Sequence, residues 1–482
     1  MGPENNKKQI VWKIFEKGGF KMPELNPKLE ERERQDVKFL DTFTEWSLNW
    51  IPDSMVFVLA LTGIVFFMAW GLTSHGPLEL IDDYQKGFWM LLSFAMQMCL
   101  LMITGFVIAD AKLVKRGIIA VVEWPKTARS AVLMLILVGG AVSWLHWGVG
   151  LMLSIVMGRE IAARKLGLGI HYPYLVAVCY GCGNIFSNGP TQAAPLILAT
   201  PGHFLESMTG IIPITVTSFA PFQLILMAVL YISLPLVILF FMPKRENAVE
   251  IDPLLAAQFT HNEGESQEEK LRPAERWERS WILQTFVAMG ILFWLGKLIV
   301  VQGIGKLDLN SLNFGFIGLG LLLHGSPRSF TASVRKGVGT TYGVIMQFPL
   351  YAGIFGMVSS SGLAAIITHW FVAVSGPGNY AWVVFLYTGF MDFFVPSAGS
   401  KFVIEAPYII PAAQQLGVPV PQVILAYCAG SQWANNLQPF WALPVLAAFR
   451  VRFQDILPFT FIIWLWVGFV CTLMFLLFPK GI

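Results

Sequence analysis

Eleven long apolar runs dominate this sequence and limit the folds that it can adopt. A run of about 20 apolar residues is long enough to cross the hydrocarbon layer of a membrane as a helix. Hydrophobic residues make up 55% of the 482 residues and charged residues only 13%, about half the charged share of soluble proteins. We therefore predict an all-α polytopic membrane protein. The apolar segments are 54–72, 88–110, 130–157, 173–200, 214–242, 281–301, 311–324, 338–358, 380–410, 421–449 and 456–479.

The polar residues exclude several other functions. The net charge is only +3, so we predict no nucleic-acid partner. The first fifty residues lack the apolar core of a secretory signal, so we expect insertion to start at the first membrane helix. Cys179 and Cys182 form a C-x-x-C pair without a second ligand pair nearby. We predict buried thiols there and no metal site. The sparse charges offer no convergent catalytic set, so we predict no enzyme.

Composition divides the chain into four parts. Residues 1–50 are predicted to be a cytoplasmic segment with an interfacial helix at 36–50, where apolar side chains share one helical face. A helix that binds a partner is the alternative there. Residues 51–242 are predicted to form a first transmembrane repeat, and the polar residues 243–280 a cytoplasmic linker. Residues 281–482 are predicted to hold a linker helix and a second repeat.

Two of the apolar segments carry Gly, Pro or charge near their middle. These interruptions are at 144–150 in segment 130–157 and at 394–401 in segment 380–410. Both segments are longer than one crossing requires. We predict that each is a re-entrant hairpin, which enters and leaves the membrane on one side.

Two further segments contain polar runs, at 183–190 and at 431–439. We predict that these are helices broken at mid-membrane. Non-helical backbone is tolerated at that depth only where it lines a cavity or is buried in protein.

The distribution of Lys and Arg orients the chain. If the two hairpins do not cross and every other segment crosses once, nearly all basic loop residues fall on one side. The positive-inside rule makes that side cytoplasmic. Loops near 116, 270 and 330 are then predicted to face the cytoplasm, and loops near 80, 205 and 375 the outside. The N-terminus is predicted inside and the C-terminus outside.

The two halves of the chain resemble each other at an offset of about 250 residues. The charge map runs the matched segments in opposite directions, so we predict inverted repeats. Inverted repeats with broken helices at matching positions are typical of secondary transporters. The matching stretches are Gly87–Gly105 with Val338–Gly356, 159–167 with 408–417, and 180–195 with 427–444.

The breaks and hairpin tips are the candidate site. A half-helix that begins at mid-membrane presents free N–H groups and its positive dipole end to an anion. Hydrogen bonds that only join helices are the alternative role for each polar residue. The matched positions favour a site. The predicted substrate-binding residues are Ser187, Asn188, Thr191, Ser397, Ser400, Lys401, Asn435, Asn436 and Gln438.

Four ionisable residues within apolar segments are candidates for coupling or gating, because charge is costly there. They are His146, Asp392, Lys401 and Glu405. Lys401 and Glu405 lie four residues apart on one helical face, so an ion pair between them is one interpretation. The other is that the Lys401 ammonium lies near the substrate carboxylate and replaces a coupling cation or carries a proton. A structural hydrogen bond is the alternative role for His146.

Seven short strings in the sequence resemble the short-chain fatty acid transporter family of bacteria, the acetoacetate and butyrate type. The likeness covers roughly residues 45–480. The sequence departs from the family pattern at the second tip. Ser400-Lys401 stands where the family pattern has glycine and histidine, and Glu405 stands where it has glutamine. The resembling strings are Trp50–Asp53, Gly87–Trp89, Trp147–Gly150, Arg159–Ala162, Val395–Ser397, Ile410–Gln414 and Gln438–Pro444.

The resemblance implies uptake of small monocarboxylates across the cytoplasmic (inner) membrane. It also implies kinship with the wider ion-transporter superfamily, whose members use paired hairpins and an elevator-like movement. We therefore predict a symporter coupled to H⁺ or Na⁺ that needs no cofactor. The expected partners are the substrate, the lipid bilayer and a second copy of the chain in a homodimer. A di- or tricarboxylate carrier and an anion channel are the alternatives.

Overall fold

The computed structural model describes residues 54–260 and 272–481, and all regular secondary structure in these residues is helical. The interfacial helix predicted at 36–50 and the middle of the predicted linker, 261–271, lie outside the described residues. The boundaries predicted for the two repeats stay predictions.

The helices follow one another along the described chain. They are α1 (Ser54–Leu72), α2 (Pro77–Phe88), α3 (Leu92–Asp110), α4 (Lys112–Val122), α5 (Ala128–Leu145), α6 (Trp147–Arg164), α7 (Tyr172–Ile185), α8 (Ala193–Ala199), α9 (Glu206–Thr209), α10 (Pro221–Phe240), α11 (Pro253–Thr260), α12 (Pro273–Glu278), α13 (Ile282–Gln302), α14 (Leu309–His324), α15 (Pro327–Val338), α16 (Tyr342–Ser360), α17 (Leu363–Val374), α18 (Tyr380–Asp392), α19 (Ala398–Gln415), α20 (Val420–Ala434), α21 (Pro439–Phe449) and α22 (Phe453–Leu477).

Seven helical stretches of the described chain are long and apolar enough to cross a membrane. Their outer faces carry large apolar side chains, such as Phe286 and Phe293 of α13, which are 78% and 75% exposed. Such faces suit lipid as their neighbour. The predicted all-α polytopic fold is confirmed. The seven stretches are Met55–Leu72, Leu92–Asp110, Ala128–Leu145, Pro221–Phe240, Pro273–Gln302, Tyr342–Ser360 and Phe453–Leu477.

The first predicted hairpin is a helix pair, α5 and α6, joined at His146. Because α5 alone is long and apolar enough to cross, its re-entrant course stays a prediction. The second predicted hairpin is the pair α18 and α19, joined by residues 393–397.

The helix order of the first half recurs in the second half about 250 residues later. The series α2 to α8 corresponds to the series α15 to α21, helix by helix. Each series contains a pair of helices joined at a short interruption, followed by a helix that a non-helical segment divides. That the two series are repeats built around re-entrant hairpins stays a prediction. The opposite orientation of the two halves in the membrane stays a prediction.

Each half contributes a short helix to the other half. The amphipathic helix α2 packs against α16, and its counterpart α15 packs against α3. The α2–α16 crossing is close because two glycines meet there. A Cβ atom on Gly87 would lie 2.5 Å from the oxygen of Ala352 and 2.8 Å from the Cα of Gly356. Small residues permit this close approach of helix backbones within a membrane.

Sequence inspection missed several helices. The amphipathic helices α2, α4 and α15 have no long apolar run, and the apolar helix α17 has only 12 residues. The described start of the predicted linker is also ordered against the membrane domain, because α11 packs on α6. The Glu250 carboxylate accepts hydrogen bonds from the N–H groups of Gly167 at 3.0 Å and Gly169 at 2.6 Å.

Candidate functional site

Four interruptions of helical backbone lie where the sequence predicts them. The hairpin tips are at His146 and at residues 393–397, and the helix breaks are at 186–192 and 435–438. Each interruption is followed by a helix that begins there, namely α6, α19, α8 and α21 in the same order. Glycine, proline, amide and hydroxyl residues at these positions explain why the helices stop.

The four interruptions meet in the structure. At the first tip, the N–H group of Trp147 donates to the hydroxyl of Thr191 in the first break, at 3.2 Å. The rings of Trp147 and Trp441 make an edge contact with centroids 6.3 Å apart, which joins the first tip to the helix after the second break. The Trp441 indole donates to the oxygen of Pro396 at the second tip, at 2.5 Å.

The two broken helices also contact each other directly. The Tyr180 hydroxyl of α7 donates to the backbone oxygens of Asn435 and Gln438 in the second break, at 2.5 and 3.3 Å. The amide of Asn184 donates to the oxygen of Gln432 at 3.1 Å. Four segments that are far apart in the sequence therefore form one buried polar centre.

At the first tip, His146 caps α6. Its Nδ1 atom accepts from the N–H groups of Gly148 and Val149, at 3.1 and 3.4 Å. An imidazole that accepts at Nδ1 carries its proton on Nε2. That nitrogen is buried and has no partner within the described residues. The capping bonds support the structural role of His146, and its role in coupling or gating stays a prediction.

At the second tip, the start of α19 keeps free donors. Ser397 caps the helix by accepting from the N–H group of Ser400 at 3.4 Å. The N–H groups of Ala398 and Gly399 have no acceptor within the described chain. The hydroxyl of Ser400 is buried and also lacks a partner there. The tip therefore offers two backbone donors and one hydroxyl at the positive end of a helix dipole.

In the first break, the predicted residues are tied into a network. The Ser187 hydroxyl donates to the oxygen of Asn184 at 2.5 Å. The side-chain oxygen of Asn188 accepts from the amide of Gln192 at 3.0 Å, and its backbone oxygen accepts from Gln223 at 2.8 Å. Gln192 and Gln223 were missed by sequence reasoning, although Gln192 lies within the polar interruption itself.

In the second break, some of the predicted side chains form hydrogen bonds within the described chain and one does not. The Asn436 side-chain amide donates to the backbone oxygen of Gln432 at 3.0 Å. The Gln438 side-chain oxygen accepts from the backbone N–H group of Trp441 at 3.3 Å. The side chain of Asn435 is buried and makes no hydrogen bond within the described residues. Asn435 is thus the predicted residue of this break that is most available to a ligand.

The ionisable residues of the second hairpin form a compact cluster. The Lys401 ammonium lies 2.6 Å from Asp392 Oδ1 and donates to the oxygen of Thr388 at 2.9 Å. The hydroxyl of Ser431 donates to the same Asp392 oxygen at 2.7 Å. The Thr388 hydroxyl donates to Glu405 Oε2 at 2.8 Å.

This arrangement corrects the interpretation in which Lys401 pairs with Glu405. The partner of Lys401 is Asp392 on the opposite arm of the hairpin. Helical spacing places residues four apart on one face, but it cannot show which side chain of another helix lies closer. The role of Lys401 in substrate binding stays a prediction.

Together, the apolar helices and the buried meeting point of four helix interruptions define a multi-pass membrane protein of the transporter class. Residues 38–478 match the Short chain fatty acid transporter family. The chain belongs to this family, which is one of transporters and not of enzymes, and the resemblance found in the sequence is confirmed.

Two relatives named for short-chain fatty acid transport support this membership. The relative from Escherichia coli (strain K12) is 34% identical over 420 residues, which cover 86% of this chain and 94% of the relative. The relative from Haemophilus influenzae is 33% identical over 431 residues, which cover 88% and 94%.

Two solved transporters share the fold at 14% identity. The YdaH transporter of Alcanivorax borkumensis, described as having an unusual topology, matches with a TM-score of 0.53 over 89% of this chain and 100% of its own. MtrF of Neisseria gonorrhoeae, described with a class of antimetabolite efflux pumps, matches with a TM-score of 0.54 over 90% and 97%. At this identity the likeness concerns the fold alone.

Proposed function

We propose that this protein takes up short-chain monocarboxylates across the cytoplasmic membrane by secondary active transport, with its N-terminus inside and its C-terminus outside. Membership in the family supports the substrate class. The observation that carries the proposal is the meeting of two hairpin tips and two broken helices in one buried centre. Broken helices of this kind form substrate sites in secondary transporters.

The substrate carboxylate binds at the start of α19. The free N–H groups of Ala398 and Gly399 and the Ser400 hydroxyl offer it three donors. Hydrogen bonds to a charged group are stronger than those between neutral groups. The Asn435 side chain in the neighbouring break, whose oxygen has no partner within the described residues, is the candidate for a fourth contact, through its N–H groups.

An aromatic pair beside the tip suits the short alkyl chain. The rings of Phe94 in α3 and Phe348 in α16 stack with centroids 5.5 Å apart. A Cβ atom on Gly399 would lie 3.4 Å from Phe348 and 3.8 Å from Phe94. The rings therefore stand directly opposite the backbone that would hold the carboxylate, and an alkyl chain gains from burial against them.

Transport requires the centre to open to each side in turn. We propose an elevator-like movement in which the hairpins and broken helices move together, because contacts such as Trp147–Thr191 and Trp441–Pro396 bind them to one another. The movement is driven by a gradient of H⁺ or Na⁺.

Proteoliposome uptake of labelled C2–C6 monocarboxylates tests the proposal. We expect saturable uptake of butyrate or acetoacetate that an imposed H⁺ or Na⁺ gradient accelerates, with succinate as a dicarboxylate competitor of little effect. Flux that rises linearly with substrate and ignores both gradients indicates an anion channel instead.

A variant of the tip sharpens this test. Gly399→Ala should lower uptake of the longest accepted chain more than uptake of acetate, because the new methyl group points at Phe348. Gly343→Ala is the control, since a Cβ atom there has nothing within 4 Å. Equal losses for all chain lengths would place the alkyl chain elsewhere.

A further inference from the structure

We propose that the ammonium of Lys401 occupies an oxygen-lined cation site, and that shortening Lys401 opens this site to a sodium ion. The site is defined by contacts within the second hairpin and its neighbour α20. Its role in coupling rests on the proposed transport function, whereas the binding of sodium does not.

Two oxygens of the kinds that bind hard cations contact the ammonium, and the Tyr427 ring lies beside it with its centroid 5.4 Å away. The Asp392 carboxylate lies at 2.6 Å and the backbone oxygen of Thr388 at 2.9 Å. The Ser431 hydroxyl lies 2.7 Å from the same carboxylate oxygen. Carboxylate, carbonyl and hydroxyl oxygens are the ligands that hard cations prefer. The Lys401 and Asp392 side chains are 1% and 0% exposed, so water supplies little of the compensation.

The position in the fold also suits a cation. Thr388 lies one turn before the end of α18, whose last residue is the buried Asp392. The C-terminal end of a helix carries a partial negative charge. Transporters with broken helices use such half-helix ends and their carbonyls to hold Na⁺. Lys401 reaches this end from the other arm of the hairpin, so its ammonium links the two arms as a bound ion would.

The cluster also holds carboxyl oxygens that have no partner. Asp392 Oδ2 and Glu405 Oε1 are buried without a partner in the described chain. Asp392 is the carboxyl group that pairs with the ammonium. Removal of the ammonium leaves this buried carboxylate without its counter-charge, which is strongly unfavourable. The ammonium is a compact point charge, and a small monovalent cation is therefore a fitting replacement.

In the wild type this site is filled by a residue of the chain and does not bind sodium. When Lys401 is shortened, the hairpin needs sodium to reach the same arrangement. The variant should therefore depend on sodium for stability, and for uptake if the hairpin belongs to the moving part.

Thermal unfolding of purified protein in detergent tests the site. Lys401→Ala and Lys401→Ser are compared with the wild type in NaCl and in choline chloride at equal ionic strength. We expect a saturable rise of the Tm by about 4 °C or more in sodium for both variants, and no sodium-specific shift for the wild type. Adding Asp392→Asn to Lys401→Ala should abolish the rise, because the charged ligand is gone.

Lys115→Ala is the matched control. Lys115 also lies 2.6 Å from a carboxylate, that of Asp110, but its side chain is 45% exposed. Water and the Lys336 ammonium, 3.9 Å from the same carboxylate, compensate it there, so this variant should show no sodium-specific shift. The same shift in Lys115→Ala or in the wild type would contradict a site at Lys401.

The remaining outcomes are decisive as well. Folded Lys401 variants without a sodium-specific shift overturn the proposal. Failure of both variants to fold in sodium as well as in choline also overturns it, since sodium is expected to replace the ammonium. Because unfolding needs no substrate, a negative uptake assay with the wild type would count against the proposed function and leave this test intact.

Discussion

The hydroxyl of Tyr180 lies 2.5 Å from the backbone oxygen of Asn435 and so joins the two broken helices, α7 and α20. The same hydroxyl reaches the oxygen of Gln438 at 3.3 Å. Carbonyl oxygens at a break lose their partners within the helix and need an external donor. One side chain of the first half thus satisfies the exposed backbone of the second half.

Tyr180→Phe should therefore weaken substrate binding at the buried centre as well as lower the stability of the fold. We expect a loss of about 1–3 kcal/mol in the free energy of unfolding, because a buried carbonyl is left unsatisfied, together with a raised KM for uptake. Tyr174→Phe is the control, since its hydroxyl donates to Ile238 at the other end of α7. A similar loss of stability with an unchanged KM is expected there. An unchanged KM in Tyr180→Phe would show that this hydrogen bond from α7 does not support substrate binding.

Asn435→Ala should weaken substrate binding without weakening the fold. Its side chain makes no hydrogen bond within the described residues, so little stability is lost. A hydrogen bond to a charged carboxylate is worth about 1.5–3 kcal/mol, which corresponds to a KM about 10-fold to 150-fold higher. Uptake kinetics and thermal unfolding measure the two effects. A wild-type KM would remove Asn435 from the site.

Asn188→Ala should weaken both substrate binding and the stability of the fold, because the Asn188 side chain accepts a hydrogen bond from Gln192 at 3.0 Å. We expect a higher KM and a lower Tm. Asn313→Ala serves as the control, since Asn313 donates to the backbone oxygen of Gln97 at 2.8 Å and makes no hydrogen bond to the four interruptions within the described chain. Its Tm should fall with an unchanged KM. A raised KM in Asn313→Ala would mean that lost packing alone accounts for the result.

Gly87→Ala should destabilise the contact between the halves. The added methyl group would lie 2.5 Å from the oxygen of Ala352, and such overpacking costs about 1–3 kcal/mol. Thermal unfolding checks this against Gly63→Ala in α1, where a Cβ atom meets nothing within 4 Å. Equal Tm values for the two variants would show that α2 and α16 can move apart without cost.

Single cysteines should report the predicted topology. An impermeant thiol reagent should label positions near 116, 270 and 330 from the cytoplasmic side and positions near 80, 205 and 375 from outside. The five native cysteines are all buried, so the unmodified chain should give a low background. Labelling of positions near 205 and 375 from the cytoplasmic side would refute the re-entrant hairpins.

The sequence by itself determined the membrane helices, their interruptions and the family. Apolar runs of sufficient length are driven out of water into the membrane, and a cluster of Gly, Pro and amide residues favours the end of a helix. Both properties are local, so the breaks at 186–192 and 435–438 fall where the polar runs predict them. Helix α2 escaped prediction because its apolar residues cover only one face, and its place against α16 depends on the tertiary fold.

The tertiary structure alone decided which residues meet. Lys401 and Glu405 share a helical face, yet the ammonium lies beside Asp392 because α19 folds back along α18. Tyr180 and Trp441 carry no sign in the sequence that they hold the breaks together, since their acceptors, Asn435 and Pro396, lie on other segments. Contacts between distant segments follow from the packing of all helices at once, and helical periodicity does not encode them.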